Sequence, residues 1–353
     1  MARKSDDISR ETRLAMQKEM LQKVTMNGMD LDSLYGQTLQ KIREQKGDLP
    51  RLGMKVLMWV SHAKRPLRMD ELCHALAVDP EMRGCYAKNI PARDTVLGSC
   101  LGLVMAEKRT LKVRLIHDTL QQYLSRPGIL HGAHKVLGET CIAFLNYRRV
   151  KRLRARKIED LGHIPFLEYS STYWGTHSKI ELSDRAKTLA LELLENFENH
   201  IAFKFFLNES LWYYFSHPRH PFTSLHCASY MGIDALVATL IKVKSCDINR
   251  RDMKEYTPLM WAVRQGNHGA AKLLLADDGV DPDKPTNSGE TPLLWASGRL
   301  GDEEMVRVLI QGGADPTKAD KKGETPLRVA SRNGDKRKVA LLQPQPITIS
   351  NLD

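Results

Sequence analysis

The sequence contains no apolar stretch long enough to cross a bilayer. Its longest apolar runs, such as residues 101–106, are far shorter than the ~20 residues that a transmembrane helix needs. The chain starts with Met-Ala-Arg-Lys-Ser-Asp-Asp, which lacks the apolar region of a signal peptide. We therefore expect a soluble intracellular protein, in the cytoplasm or also in the nucleus.

Closely spaced cysteines are absent as well. The six cysteines are scattered, and no two of them form a Cys-x-x-Cys pair. Structural zinc sites and small disulfide-linked domains usually contain such pairs. The spacing instead fits buried or idle thiols in a reducing compartment. We expect neither a zinc site nor a disulfide framework.

Catalytic signatures are missing too. The chain has no Gly-x-x-x-x-Gly-Lys phosphate loop, no His-Glu-x-x-His and no Gly-x-Ser-x-Gly. Two histidine pairs, His131 with His134 and His217 with His220, are spaced closely enough for metal ligands, but neither has a third ligand nearby in sequence. We interpret them as turn or surface histidines. The sequence therefore predicts no catalytic, cofactor or metal site.

Positive charge is concentrated in the front part of the chain. The net charge is +11, and residues 221–353 hold 18 Lys and Arg against 17 Asp and Glu, so nearly all of the excess lies before residue 221. The densest run is 148–157, whose basic residues are Arg148, Arg149, Lys151, Arg152, Arg154, Arg156 and Lys157. This run could be a nuclear import signal or a patch for nucleic acid or an acidic partner. We favour the other interpretation, a solvated helix face that continues from 141–147, with Val150 and Leu153 on the buried side.

The most regular feature is a tripeptide that recurs every 34 residues. Thr-Pro-Leu begins at Thr257, Thr291 and Thr325, and Thr-Ser-Leu begins at Thr223. An alanine, a glycine and a second apolar stretch follow each copy. Thr can cap a helix, Pro is tolerated at the first helical position, and Gly allows a left-handed end. Each copy therefore predicts two short antiparallel helices and a projecting turn, and such units must stack on one another to bury their apolar faces.

Residues 221–342 resemble ankyrin repeats, with three full copies and a truncated fourth. The histidine that this family usually has after the Leu survives only as His226. The resemblance implies that most of the hydrogen bonds that this histidine makes between repeats are missing. The last copy stops near Leu342 without a polar capping repeat, so we expect its end to fray.

The segment 52–125 predicts helices followed by a β-hairpin. Apolar helical patterns at 52–63 and 69–78 precede two alternating stretches on either side of the charged turn 107–110, and a closing helix is predicted at 118–124. This order is typical of a winged-helix domain. The helix at 69–78 would be its recognition helix, but it carries Asp70 and Glu71 and no Lys or Arg, which argues against entry into a DNA groove.

The amino-acid sequence of this segment resembles a winged-helix domain that is named after GPI inositol-deacylase and occurs in fungal NACHT and ankyrin proteins. The resemblance rests on Lys-Val-Leu-Met-Trp-Val-Ser-His-Ala-Lys-Arg-Pro-Leu at 55–67 and Leu-Ile-His-Asp-Thr-Leu-Gln-Gln-Tyr-Leu at 115–124. Residues 29–35 resemble the helical linker that precedes this domain in the family, and residues 165–177 resemble the helical linker before its ankyrin repeats. In that family an NTPase domain usually stands upstream, but this chain has no phosphate loop. His117-Asp118 occupies the place of a nucleotide-sensing His-Asp in related ATPases. We expect instead an ordinary helix start that Asp118 caps.

Together these patterns predict a mainly α protein in five parts: a helical linker at 1–50, a winged-helix domain with a small β-hairpin at 51–127, a helical connector and cap at 128–220, an ankyrin-repeat solenoid at 221–342 and a tail at 343–353. Aromatic residues at 203–215 are interpreted as the helical cap before the first repeat.

The function that these parts predict is non-catalytic binding of a partner protein through the ankyrin surface. The front part would be a fragment or relative of a NACHT-type signalling protein. Two alternatives remain: a nuclear or nucleic-acid-associated regulator that uses 148–157, and a signalling subunit whose NTPase domain is on a separate chain. In ankyrin proteins the hairpin tips and first helices form a concave binding surface, and Tyr256 and Arg264 are predicted as its anchors, although Tyr256 could instead pack on the neighbouring hairpin. The predicted surface residues are Met253, Glu255, Tyr256, Arg264, Gln265, Asn287, Glu290 and Arg299.

Overall fold

A computed structural model describes residues 30–81, 84–85, 89–153, 161, 164–195, 197, 200–206, 222–243, 246–252, 254–298 and 301–343. The described residues divide after Leu189 into two compact units. Several predicted features lie outside the described residues, namely 1–29 of the linker, residues 207–215 of the aromatic stretch at 203–215 and the tail from 344 onward.

The first unit is built mainly from helices. In chain order its elements are α1 Leu31–Arg43, α2 Leu49–His62, α3 Met69–Ala77, β1 Val78–Asp79, β2 Gly84–Cys85, α4 Arg93–Gly98, β3 Val104–Ala106, β4 Val113–Leu115, α5 Asp118–Leu124, α6 Ala133–Leu145, α7 Arg148–Lys151 and α8 Leu167–Ile180. The next helix, α9 Asp184–Leu194, contains the division between the units.

A buried tryptophan holds the centre of the first unit. Trp59 of α2 is 1% exposed and meets Phe166 and Tyr169 edge-on, with ring centroids 5.5 and 5.7 Å apart. Helix α6 packs along α8, and α2 packs on both α3 and α6. Burying such large rings contributes much of the apolar stabilisation of a domain of this size.

The predicted β-hairpin is present. Strands β3 and β4 pair antiparallel with Val104 opposite Leu115, and the charged turn closes through a hydrogen bond from the Glu107 N–H to the Lys112 carbonyl at 2.8 Å. The Val113 N–H also donates to the Leu67 carbonyl at 2.8 Å, so the segment before α3 lies along the outer side of β4. This hairpin after α2 to α4 completes the winged-helix order of elements.

Three local details differ from the sequence-based prediction. Helix α2 begins at Leu49, three residues before the predicted start, because Pro50 fits the first turn, where its missing N–H costs no bond. The cap of α5 is His117 and not Asp118, since the His117 Nδ1 accepts the Thr119 N–H at 3.2 Å. The two-residue strands β1 and β2 form a second small antiparallel pair that no pattern predicted, because so short a pair leaves no alternation to detect.

The predicted long helix through the basic run is wrong. Helix α6 ends at Leu145, and α7 restarts at Arg148 and covers one turn. The side chain of Asn146 explains the break, since its Nδ2 donates to the Leu189 carbonyl at 2.8 Å and to the Ile142 carbonyl at 3.2 Å. Val150 is buried as predicted, whereas Leu153 is only half-buried.

The second unit consists of paired short helices. After α10 Ile201–Phe206 they are α11 Ser224–Met231, α12 Asp234–Ile241, α13 Pro258–Arg264, α14 His268–Leu275, α15 Pro292–Ser297, α16 Glu303–Gln311, α17 Pro326–Arg332 and α18 Lys336–Leu342. The first helices of the repeats (α11, α13, α15, α17) pack on one another in one layer, and the second helices (α12, α14, α16, α18) form another. The predicted fold class, mainly helical with a small hairpin and ankyrin repeats, is confirmed.

Threonine caps set the start of each first helix. The Thr257 Oγ1 accepts the Met260 N–H at 3.2 Å, and Thr223, Thr291 and Thr325 make the same bond three residues on. Pro258 and its two counterparts occupy the first helical position. Because each cap fixes where a helix begins, the 34-residue spacing of the threonines keeps the repeats in register.

Two polar contacts join the first repeat to the second. The His226 imidazole is fully buried and donates from Nε2 to the carbonyls of Arg250 and Tyr256, at 3.0 and 3.1 Å. Gly232 has a φ of +66°, and a Cβ there would lie 2.3 Å from the Asn267 side chain, which is bonded to the carbonyl of Ser229 at 2.9 Å. A larger residue than glycine would be strained at this φ and would displace the Asn267 side chain from its bond between the two repeats.

The last repeat is closed by a buried lysine. Lys338 of α18 is 4% exposed, and its Nζ donates to the carbonyls of Gly298 and Gly301 at 2.8 and 2.7 Å. Asp335, which caps α18, lies 3.4 Å from the same Nζ. The ammonium thereby satisfies carbonyls of the loop between α15 and α16 and ties the truncated repeat to its neighbour.

None of the helices in the described part of the chain is both long and apolar enough to span a bilayer.

Candidate protein-binding surface

Three aromatic rings from two successive repeats meet on the layer of first helices. Tyr256 precedes α13, Trp261 lies in α13 and Trp295 lies in α15. The Tyr256 ring stands edge-on to both indoles, with centroids 5.4 Å from Trp261 and 5.3 Å from Trp295. Edge-on aromatic pairs at such distances are favourable beyond the area they bury. We call these three residues the aromatic cluster.

The guanidinium of Arg264 lies against the aromatic cluster. Its Cζ is 5.4 Å from the ring centroids of Trp261 and Trp295 and 5.7 Å from that of Tyr256. A guanidinium within ~6 Å of a ring centroid is attracted by the π electrons, and three rings fix its position. Although Arg264 is half-buried, its guanidinium makes no hydrogen bond or ion pair with any residue that the structure describes.

The two tryptophans of the cluster differ in how their indole N–H groups are satisfied. Trp261 Nε1 donates to Asp252 Oδ2 at 2.7 Å. Trp295 stands 34 residues later, and at the corresponding place the chain has Thr286 instead of an aspartate. The Thr286 Oγ1 lies 2.9 Å from the Ser288 Oγ and accepts the Glu290 N–H at 3.2 Å. Trp295 Nε1 is buried and has no partner within the described ranges.

Charges near the cluster are mixed, and Arg264 dominates them. Burial raises the pKa of the Tyr256 phenol, while Arg264 lowers it and Glu290 raises it further. Burial also lowers the pKa of Lys254, and the positive charge of Arg264 lowers it further. No ion pair joins Glu290 to Arg264, and the Glu290 Oε2 accepts instead from the Ser288 hydroxyl at 3.0 Å.

A groove of about 510 Å³ adjoins the cluster. Its lining residues come from the third and fourth repeats and include Trp295 and Glu290, and the others are Leu294, Gly298, Asp320, Lys322, Glu324, Val329 and Arg332. Arg332 pairs with Glu324 at 2.8 Å, and Asp320 accepts the backbone N–H groups of Lys322 and Glu324. The groove therefore combines an indole face and two aliphatic side chains with charges that are largely paired within the protein.

The remaining predicted surface residues are spread around this site. Gln265 and Asn287 are exposed, and Glu290 is half-buried. Glu255 has a φ of +61° and pairs with Arg251 at 3.2 Å. Met253 and Arg299 lie outside the described residues. The alternative for Tyr256 was packing on the neighbouring hairpin, whereas the structure places its ring between two tryptophans of the first helices.

Both tryptophans of the cluster were missed by the sequence reasoning. The signal that could have found them is their register, because Trp261 and Trp295 stand at the same position of two successive repeats. Because the first helices pack on one another, side chains at that position lie near the repeat interface, where the Tyr256 ring contacts both indoles.

The sequence also offered two other candidate sites, the basic run at 148–157 and His117 of the winged-helix domain. Arg148, Arg149 and Arg152 are exposed and Lys151 is half-buried, whereas Arg154, Arg156 and Lys157 lie outside the described residues. His117 is occupied as a helix cap, with its Nδ1 also 2.8 Å from the Thr119 Oγ1.

One histidine was misjudged as a turn or surface residue. His134 Nδ1 lies 2.8 Å from His177 Nδ1, and His177 Nε2 lies 2.9 Å from the Tyr169 hydroxyl. Burial, followed by the nearby charges of His134 and Lys64, lowers the pKa of His177 to about 3. His177 is therefore neutral at ordinary pH and serves as a buried hydrogen-bonding group. No group of three metal-ligating side chains is assembled in the described chain.

Comparison with known families agrees with this order of parts. Residues 42–131 match the family described as GPI inositol-deacylase, winged helix domain. Residues 195–286 and 279–351 match the family described as ankyrin repeats (3 copies). No curated protein matches the chain significantly. The chain thus carries a winged-helix domain like that of GPI inositol-deacylase, followed by ankyrin repeats.

Proposed function

We propose that this protein is a non-catalytic adaptor that holds a partner protein on the concave surface of its ankyrin repeats. Ankyrin repeats suggest protein–protein interaction in general. The observation that carries the proposal here is the unpaired Arg264 on the aromatic cluster, next to a groove of about 510 Å³. Aromatic residues and arginine are the types that most often anchor interfaces.

The front part is proposed to connect this binding surface to a signalling assembly, as the resemblance to NACHT-type proteins of fungi suggests. Binding of DNA by the winged-helix domain is less well supported. Helix α3 carries no Lys or Arg, and its Glu71 accepts a hydrogen bond from Arg65 at 2.7 Å, so its acidic side is already paired. Major-groove helices typically offer basic and amide side chains.

The proposal is tested by selecting peptides from a displayed library of random dodecapeptides on the purified full chain. Affinities of the recovered peptides are then measured by fluorescence anisotropy. Gln265→Trp and Asn287→Trp place a bulky ring on the proposed surface, at side chains that are exposed. Each should weaken binding at least tenfold, because a ring there blocks close approach of the peptide.

Gln311→Trp is the matched control. Gln311 is exposed at the end of α16, in the layer of second helices, so the same ring is added away from the proposed surface. Peptide binding by this variant should equal that of the wild type. If the recovered peptides bind all three variants equally, or if no peptide is recovered, the proposed function is rejected.

A further inference from the structure

We propose that Arg264 is the receptor for a side-chain carboxylate, so that the partner binds through an acidic peptide segment. This inference deepens the proposed function and rests on it. The aromatic cluster supplies only ring faces to the guanidinium, and ring faces satisfy its charge but none of its five N–H donors.

The first step of the argument is that the guanidinium is fixed before any ligand arrives. Rings from Tyr256, Trp261 and Trp295 contact it together, and these rings also pack on each other. An arginine side chain that moves freely in solvent must lose most of its rotamer freedom when it binds a ligand, and that loss opposes association. Here the aromatic cluster has already restricted the side chain, so a ligand gains the hydrogen bonds at a lower entropic cost.

The second step is that no carboxylate of the described chain neutralises Arg264. Carboxylates of the adjoining hairpins are engaged elsewhere: Asp252 accepts from Trp261 and from two backbone N–H groups, and Glu255 pairs with Arg251. Glu290 is hydrogen-bonded to Ser288. A half-buried, unpaired guanidinium binds a carboxylate strongly, since charge-assisted bonds are about twice as strong as neutral ones.

The third step is charge complementarity with the rest of the site. Burial lowers the pKa of Lys254, and the positive charge of Arg264 lowers it further, so a second cationic side chain lies near the guanidinium. The groove carries both signs of charge: Lys322 is exposed, whereas the carboxylates of Glu290, Asp320 and Glu324 already accept hydrogen bonds within the chain. A basic residue of the partner would find the aromatic cluster already occupied by Arg264 and would be repelled, whereas an acidic residue is attracted.

The groove adds the second half of the recognition. Within the groove, Leu294, Val329 and the Trp295 ring offer apolar surface, and the Trp295 ring also contacts the guanidinium. A peptide with one Asp or Glu near an apolar side chain can therefore place the carboxylate on Arg264 and the apolar group in the groove. Extended peptides commonly combine such a charged contact with an apolar pocket.

The test uses the peptides selected from the random dodecapeptide library on the full chain. The peptides whose binding is weakened by Gln265→Trp or Asn287→Trp should share one acidic position next to an apolar one. The lead peptide and its analogue with that acidic residue changed to the corresponding amide are measured on wild type, Arg264→Gln and Lys272→Gln. On wild type, the amide analogue should bind at least tenfold more weakly. On Arg264→Gln the two peptides should bind equally, because the partner of the carboxylate is gone.

Lys272→Gln is the control for net charge. Lys272 is exposed on α14 in the layer of second helices, and its removal changes the net charge by the same unit. It should leave the preference for the acidic peptide unchanged. Circular-dichroism melting of each variant verifies that the repeats remain folded at the temperature of the measurement.

The outcomes separate this inference from the proposed function. If the peptides lose their binding to Gln265→Trp but share no acidic position, the carboxylate receptor is overturned and the adaptor function remains. The same conclusion follows if the peptides bind Arg264→Gln as well as they bind the wild type. Enrichment of basic peptides would overturn the carboxylate receptor too, because these would place their cations on Glu290, Asp320 or Glu324. If no recovered peptide depends on this surface, both proposals fail.

Discussion

Replacing Asp252 by threonine should destabilise the ankyrin repeats measurably. The Asp252 side chain is completely buried, and it accepts three hydrogen bonds: from the backbone N–H groups of Lys254 and Tyr256, at 2.8 and 3.0 Å, and from Trp261 Nε1 at 2.7 Å. The next repeat shows what threonine can do at this position. Thr286 keeps the bond to the N–H four residues on but gives no partner to its tryptophan.

The expected loss follows from the indole N–H. A hydrogen bond to a charged group contributes about 1.5–3 kcal/mol, and a buried donor left without a partner costs about 1–3 kcal/mol. Burial raises the pKa of the Asp252 carboxyl, which means that the folded protein opposes its charge. Removing the carboxylate also removes the cost of burying its charge, which offsets part of the lost hydrogen bonding. We therefore expect a net loss at the lower end of these ranges, about 1–2 kcal/mol in the free energy of unfolding.

Asp320→Thr is the matched control. Asp320 accepts the backbone N–H groups of Lys322 and Glu324 in the same way, at 2.8 and 2.9 Å, but the residue nine positions on is Val329, which has no indole. Urea titrations followed by far-UV circular dichroism measure both variants. Asp252→Thr should lose more stability than Asp320→Thr. Equal losses would refute the reasoning, because the indole hydrogen bond would then contribute nothing to stability.

Three further predictions concern the repeat stack. Leu274→Ala, at a fully buried side chain, should cost about 2–5 kcal/mol, and Leu341→Ala, at a half-buried one, should cost less in the same urea titration. Lys338→Met should cost about 1–3 kcal/mol because two loop carbonyls lose their donor, and a cost near zero would show that water replaces the ammonium. Burial lowers the pKa of His226 from 6.5 to about 4, so the unfolded chain binds more protons between these values and stability should fall as pH drops from 6.5 to 4, by roughly 3 kcal/mol. Because His226→Gln keeps a donor but does not titrate, it should lose less stability over this range, and parallel pH curves for the two proteins would contradict the assignment.

Repeat register and helix caps could be predicted because both depend on local chemistry. Threonine and proline determine where each first helix begins through atoms within one turn of the chain, so four copies at a fixed spacing were enough to place the repeats. The β-hairpin of the first unit was predictable for the same reason, since alternation on both sides of a charged turn is a local pattern.

Features that depend on a distant partner could not be predicted from a single stretch of sequence. The break after Leu145 follows from an asparagine that bonds a carbonyl 43 residues away. Lysine is charged and is usually exposed, so the burial of Lys338 is explained only by the loop carbonyls to which its Nζ donates. His134 had the same ambiguity, because its contact, His177, is contributed by a different helix.

The proposed binding surface contains one feature that could be predicted from local sequence and one that depends on a distant partner. Arg264 was predicted from its position at the end of a first helix, which is a matter of register. Its special property, an arginine held by three rings without a hydrogen-bond partner, depends on Trp295, which belongs to the next repeat. Without a ring at position 295, only Tyr256 and Trp261 of the same repeat would contact the guanidinium. The proposed preference for acidic partners therefore belongs to the pair of repeats and not to either one alone.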